Sequence, residues 1–132
     1  MGYRVSLLIA AALSILPGLV LIFFPEMVNQ QLLQIHEVGL PANQEGYQRG
    51  QEFLTRLVGG QVTGFGVLCL FARNIAEEGT QTAMLKGLTI ATLIAVLVSL
   101  SQSEGWVNLV FSGPVLLVLV STLVRRRLSA NA

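Results

Sequence analysis

The chain has 132 residues, 53% hydrophobic and 11% charged, with a formal net charge of +1. Soluble domains carry about 25% charged residues, so this composition, with a mean hydropathy of +0.70, excludes an ordinary water-soluble globule and gives no electrostatic case for nucleic acid as a partner. A single cysteine, Cys69, excludes an intrachain disulfide. Asp is absent, and His36 is the lone histidine.

The apolar residues fall into blocks rather than a short alternation, and the length of those blocks decides the class. The segments 5–24, 53–72, 82–100 and 106–124 each hold about 20 residues, enough for a helix rising 1.5 Å per residue to cross a hydrocarbon core of about 30 Å. Strands fail as spans, because four of them cannot close a barrel. The prediction is all-α: a four-helix transmembrane bundle forming a single integral membrane domain over residues 1–132.

The first segment superficially resembles a signal peptide, with Arg4 before it and Ala10-Ala11-Ala12 inside it. Cleavage there would leave too short an apolar region, and the run continues to Phe24, so a retained span is expected. Pro17-Gly18 should bend it. Phe24-Pro25-Glu26 ends it, because proline cannot supply the next backbone donor. In the following loop Met27, Val28, Leu32, Leu33 and Ile35 alternate with Asn29, Gln30, Gln31 and Gln34. This pattern predicts a short amphipathic helix in the first extracytoplasmic loop. Gly39, Pro41 and Asn43 then interrupt the chain.

The second helix is predicted from about Gln44 to Ala72, beginning before the membrane does. Glu45, Arg49, Glu52 and Arg56 recur at helical spacing, so they share one face with alternating sign. That face runs on through Gly59, Gly60, Thr63 and Gly66, and Gly60 and Gly64 form a small-xxx-small pair of the kind that lets membrane helices approach closely. The face is therefore expected to turn toward the bundle. The third helix carries Gly87, Ala91, Ala95 and Ser99 at four-residue spacing, a second expected contact seam. Ser101–Gly105 joins it to the fourth helix as an antiparallel hairpin, and Ser112-Gly113-Pro114 should loosen that last helix.

Orientation follows the distribution of cations. Arg4, Arg73, Lys86 and Arg125-Arg126-Arg127 fall on one side; Arg49 and Arg56 fall on the other, with Glu26, Glu37, Glu45, Glu52 and Glu104. Both termini are predicted to be cytoplasmic. Trp106, Tyr47 and Phe23-Phe24 then sit near the outer interface and Tyr3 near the inner one, levels that suit amphipathic aromatics.

Arg56 is the candidate that stands out, because an arginine at the centre of a membrane helix costs roughly 2.5–3.5 kcal/mol on insertion scales. Two readings are open. In the structural one, Arg56 pairs with Glu52, faces the bundle and reaches the headgroups along its own stem. In the functional one, Arg49, Glu52, Arg56 and Gln61, with Asn108 nearby, form a ligand-binding or polar bundle site, where the guanidinium fork would hold a carboxylate or phosphate. The acidic group Glu26, His36, Glu37, Glu45 and Glu52 matches no metal-binding loop and reads as a solvated face. Cys69 lies among Val67, Leu68, Leu70 and Phe71 and reads as packing. No span holds a histidine to ligate a cofactor, and the three arginines after the last span read as a topology anchor with a modest affinity for anionic lipid. No cofactor or metal is predicted.

The overall plan resembles the DoxX-like group of small bacterial four-helix membrane proteins. The resemblance is carried by Phe24-Pro25-Glu26, by Arg56-Leu-Val-Gly-Gly60 and by the glycine-rich continuation to Gly66. It implies a multi-pass protein of the bacterial cytoplasmic (inner) membrane, and for some members an accessory role beside membrane redox systems. No catalytic residue carries over. The small multidrug transporters are similar in length and helix count but depend on a glutamate in their first helix, which Val5–Phe24 lacks.

Three functional readings follow. The first is a non-enzymatic tetraspan that binds membrane lipids or a membrane-protein partner, or forms a homo-oligomer. The second is a small-solute carrier or channel with Arg56 in its path. The third is a membrane-embedded enzyme or redox-accessory protein using Cys69 and Glu52. The absence of nucleophile–base, metalloprotease and nucleotide motifs, and of an acidic residue deep in any span, weighs toward the first.

Overall fold

Pro25 sets the first boundary. Helix α1 spans Tyr3–Phe23 and closes with the Phe24 N–H donating to Val20 O at 2.8 Å. Pro25 cannot continue that ladder but suits the first position of a new helix, so a short α2 follows at Pro25–Met27. The computed structural model describes residues 2–29, 44–101 and 106–131. The expected amphipathic loop helix, with His36 and Glu37, lies outside the described residues.

Helix α3 spans Gln44–Ala72 and contains 29 residues, the range expected from sequence. At 1.5 Å per residue it is about 43 Å long, so its first turns exceed the thickness of a hydrocarbon core. A tight turn follows, with Arg73 N–H donating to Cys69 O at 3.1 Å and Ile75 N–H to Ala72 O at 3.1 Å. Helix α4 spans Glu78–Leu100 and α5 spans Trp106–Ala130. Both outrun the apolar segments from which they were predicted. At α4 the extra turn is polar, and its leading Glu78 complements the positive helix start. At α5 the extension carries the three arginines, good helix formers that complement the negative helix end. Helices α1 and α5 run on as single elements through Pro17 and Pro114.

Among the described residues four helices are long and apolar enough to cross a membrane: Tyr3–Phe23, Arg49–Ala72, Glu78–Leu100 and Asn108–Ala130. Their outward faces are apolar, with Phe71 and Leu117 each 72% exposed and Leu16 66% exposed. In water such a surface would drive aggregation; in a bilayer it is solvated by acyl chains. These features are those of a small multi-pass membrane protein.

Helix α1 is the hub. It packs along α3 on one side and α5 on the other, and α5 packs on α4. Helices α3 and α4 make no extended contact with each other. The order around the bundle is thus α3, α1, α5, α4, with a cleft between the last and the first. The buried core gathers Leu7, Ala10, Ala11, Cys69, Leu85 and Leu119 toward the end that holds the termini.

The α1–α3 seam keeps Gly59, Thr63 and Gly66 of the expected face and leaves out Gly60 and Gly64. A Cβ on Gly59 would lie 2.7 Å from Gly18 O and 2.7 Å from Leu21 Cβ. One on Gly66 would lie 2.6 Å from Ile15 Cγ1, and one on Gly18 would lie 2.8 Å from Thr63 N. Gly60 and Gly64 meet nothing within 4 Å. The contact row is therefore Thr55, Gly59, Thr63 and Gly66, which mixes steps of four and three. A row of strict four-residue steps, such as Arg56, Gly60 and Gly64, advances about 40° per step around a helix of 3.6 residues per turn, and it leaves the interface. The same arithmetic corrects α4. Leu85, Leu88, Thr92 and Ser99 are its buried row, while Gly87 and Ala91 are exposed.

Candidate functional site

The cleft between α3 and α4 widens into a cavity of about 370 Å³. All four long helices supply its wall: Leu13 and Ser14 from α1; Val58, Gln61, Val62 and Phe65 from α3; Ala91, Thr92, Ala95 and Val98 from α4; Asn108, Phe111, Ser112 and Val115 from α5. Small residues make the space. Ala91 and Ala95, read in sequence as a contact seam, stand across from α3 without filling the gap. The cavity occupies the half of the bundle that contains the α4–α5 turn.

Most of the wall is apolar, and two of its hydroxyls are committed to the backbone. The Thr92 hydroxyl donates to Leu88 O at 2.8 Å and the Ser112 hydroxyl to Asn108 O at 2.7 Å. Asn108 Nδ2 donates to the Ser99 hydroxyl at 2.5 Å, joining α5 to α4. Across the cleft, the Thr55 hydroxyl donates to Asn29 Oδ1 at 2.8 Å, joining α3 to the segment after α2. Each bond lies within its own side of the cleft. Among the described residues no side-chain hydrogen bond crosses it from α3 to α4.

Of the four residues expected to form a polar site, the structure brings only Gln61 to the cavity wall. Arg49 and Arg56 are exposed and Glu52 is half-buried. Among the described residues no ion pair within 4.0 Å links the three. The expectation of a bundle-facing Arg56 paired with Glu52 is corrected: Arg56 stands one residue beyond Thr55, which rotates it about 100° off the row that meets α1. Asn108, expected nearby, does line the cavity. The side chains of Glu45, His36 and Glu37 lie outside the described residues, and among the described ones no group of three acidic, histidine or cysteine side chains converges as a metal site would. Cys69 is fully buried in the core and is not part of the cavity wall.

A second polar cluster sits at the end that holds the termini, and sequence reasoning missed it. Arg126 lies with its guanidinium carbon 5.1 Å from the centroid of the Tyr3 ring. It donates to Gln81 Oε1, to the Thr82 hydroxyl at 3.1 Å and to Glu78 O at 3.4 Å. Gln81 Nε2 donates to Ile75 O at 2.6 Å, and the Tyr3 hydroxyl to Ala72 O at 2.8 Å. One turn away the Thr122 hydroxyl donates to that of Ser6 at 2.6 Å. One arginine of the triplet thus connects α5 to α4 and to α1, and Tyr3 carries the connection to α3. The available signal was Gln81, a fully polar residue just ahead of an apolar segment, one helix end away from a cluster of arginines.

The chain matches no protein-family model, no curated protein and no solved structure.

Proposed function

We propose that this protein is a non-enzymatic lipid-binding tetraspan whose α3–α4 cleft takes a lipid chain from the surrounding bilayer. The cavity carries this reading. It is apolar, it lies between two helices with lipid-facing outer surfaces, and its volume is that of a small-molecule pocket, typically about 300–1,000 Å³. Val58 and Val98 line the cavity and are 45% and 56% exposed, so acyl chains reach it laterally. An empty apolar space of this size in a fluid bilayer is filled by the surrounding chains, because its lining otherwise forfeits dispersion contacts.

The wider setting we propose is the bacterial cytoplasmic membrane, with both termini cytoplasmic, in keeping with the DoxX-like resemblance and with the arginines and lysine at the termini end. A membrane-protein partner or second copy is supported by Gly60 and Gly64, an outward pair with nothing within 4 Å among the described residues. A carrier with Arg56 in its path has less support, since Arg56 is not part of the cavity wall.

Photolabelling tests the lipid reading. A phosphatidylcholine with a mid-chain diazirine, reconstituted with the protein, should label cavity residues such as Val62 and Val115. Ala95→Phe, which fills the cavity, should reduce that labelling severalfold, whereas Ile94→Phe on the outer face should not. Labelling confined to outward residues in the wild type would overturn the reading.

A further inference from the structure

Ser14 sets a buried polar point in a wall whose other hydroxyls, those of Thr92 and Ser112, are committed. The hydroxyls of Ser6, Thr92, Ser99 and Ser112 each donate to the carbonyl four residues back, and that of Thr122 donates to Ser6. Ser14 makes no such bond, nor any other among the described residues. It is 3% exposed, so nearly all of it is enclosed, and it borders the cavity. Thr63 Oγ1 is also without a partner, but it is sealed in the α1–α3 seam beside Gly18. Ser14 is the hydroxyl with both a free hydrogen and open space before it.

The depth and charge of the site define what it would bind. Ser14 is near the midpoint of the 21-residue α1, so it stands near mid-membrane, where a phospholipid offers only methylene groups. The described lining residues include no charged side chain, so nothing there neutralises a phosphate, carboxylate or ammonium group. Thr92 and Ser112 have already given their hydrogens to carbonyls and retain acceptor lone pairs. Among the lining hydroxyls the unspent donor is Ser14, buried where Gln61 is exposed, and the group that complements it is an uncharged acceptor.

We infer that the preferred occupant of the cavity is an uncharged lipophile carrying a carbonyl, with the Ser14 hydroxyl donating to that oxygen. This rests on the lipid-binding reading of the cleft and names its ligand class. The selectivity is that of one hydrogen bond formed where the competing occupant, a plain methylene chain, leaves the hydroxyl unmet.

The test compares two chains that differ by one oxygen, 10-nonadecanone and nonadecane, as competitors of the diazirine phosphatidylcholine for labelling at Val62 and Val115. In the wild type the ketone should displace the label at about fivefold lower membrane mole fraction than the alkane. In Ser14→Ala the two should become equal, with the alkane acting as it does on the wild type. Equal competition in the wild type, or a ketone preference that survives Ser14→Ala, overturns the inference while leaving a lipid-filled cleft intact. Absence of cavity labelling overturns the lipid-binding reading itself.

Discussion

The two halves of the bundle solve the same packing problem in opposite ways. Toward the termini, Arg126, Tyr3, Gln81 and Thr122 join helix to helix across the whole bundle. Toward the α4–α5 turn, Thr55–Asn29 and Asn108–Ser99 hold each side together separately, and the cavity lies between them. The contrast also separates two arginines. Arg56, conspicuous because it interrupts an apolar segment, stands exposed. Arg126, inconspicuous within a terminal triplet, has partners on α4 and stacks on α1. In a membrane helix the role of a charge depends on which helix face it occupies and what the neighbouring helix offers there, and neither is local in sequence.

Substitutions should break this contrast to different extents. The largest effect is expected at the α1–α3 seam on which both halves rest. Gly59→Val places atoms within 2.7 Å of Gly18 O and should destabilise by about 3 kcal/mol, read by unfolding in mixed micelles. Next is Arg126→Leu. It removes the bonds to Gln81 and Thr82 and the stack on Tyr3 and should cost about 2 kcal/mol. It should also admit lipid labelling near Tyr3, so that the closed half comes to resemble the open one.

Smaller effects sharpen the comparison. Thr55→Val takes the partner from Asn29, which is 8% exposed, and should cost about 1–2 kcal/mol. Thr63→Val removes a hydroxyl that already lacks a partner and should leave stability unchanged or slightly raised in the same assay. Arg56→Leu should leave both the unfolding midpoint and the lipid labelling of the cavity unchanged, whereas a permeation or binding role for Arg56 would appear as loss of one of them.

Long-period features of the sequence reached the structure intact. The four apolar segments became four membrane-length helices, Phe24-Pro25 ended the first, and α3 begins at Gln44. Features that depend on helix phase carried over only in part. On α3 the expected Gly59, Thr63 and Gly66 reached the seam while the four-residue pair Gly60 and Gly64 did not, and on α4 the four-residue row buries Ser99 but leaves Gly87 and Ala91 exposed. The face that packs has to mix steps of three and four, as Thr55, Gly59, Thr63 and Gly66 do. The cavity was less legible still. It exists because α3 and α4 stay apart, and a space between helices distant in sequence leaves no periodic trace. Of the candidate site, Gln61 and Asn108 reached it because they are polar residues within spans. Ser14 and Thr92 escaped notice because serine and threonine usually satisfy themselves on their own helix.

The central claim is that the bilayer enters one half of this bundle and not the other. Val115 and Leu119 sit one helical turn apart on α5, 2% and 0% exposed; both belong to the buried core, and Val115 also borders the cavity while Leu119 does not. Solid-state NMR of the protein in bilayers with protonated acyl chains should show through-space contacts from mid-chain methylenes to the Val115 methyls and none to those of Leu119. Absence of acyl contacts at Val115, or contacts of equal strength at both residues, would contradict the account.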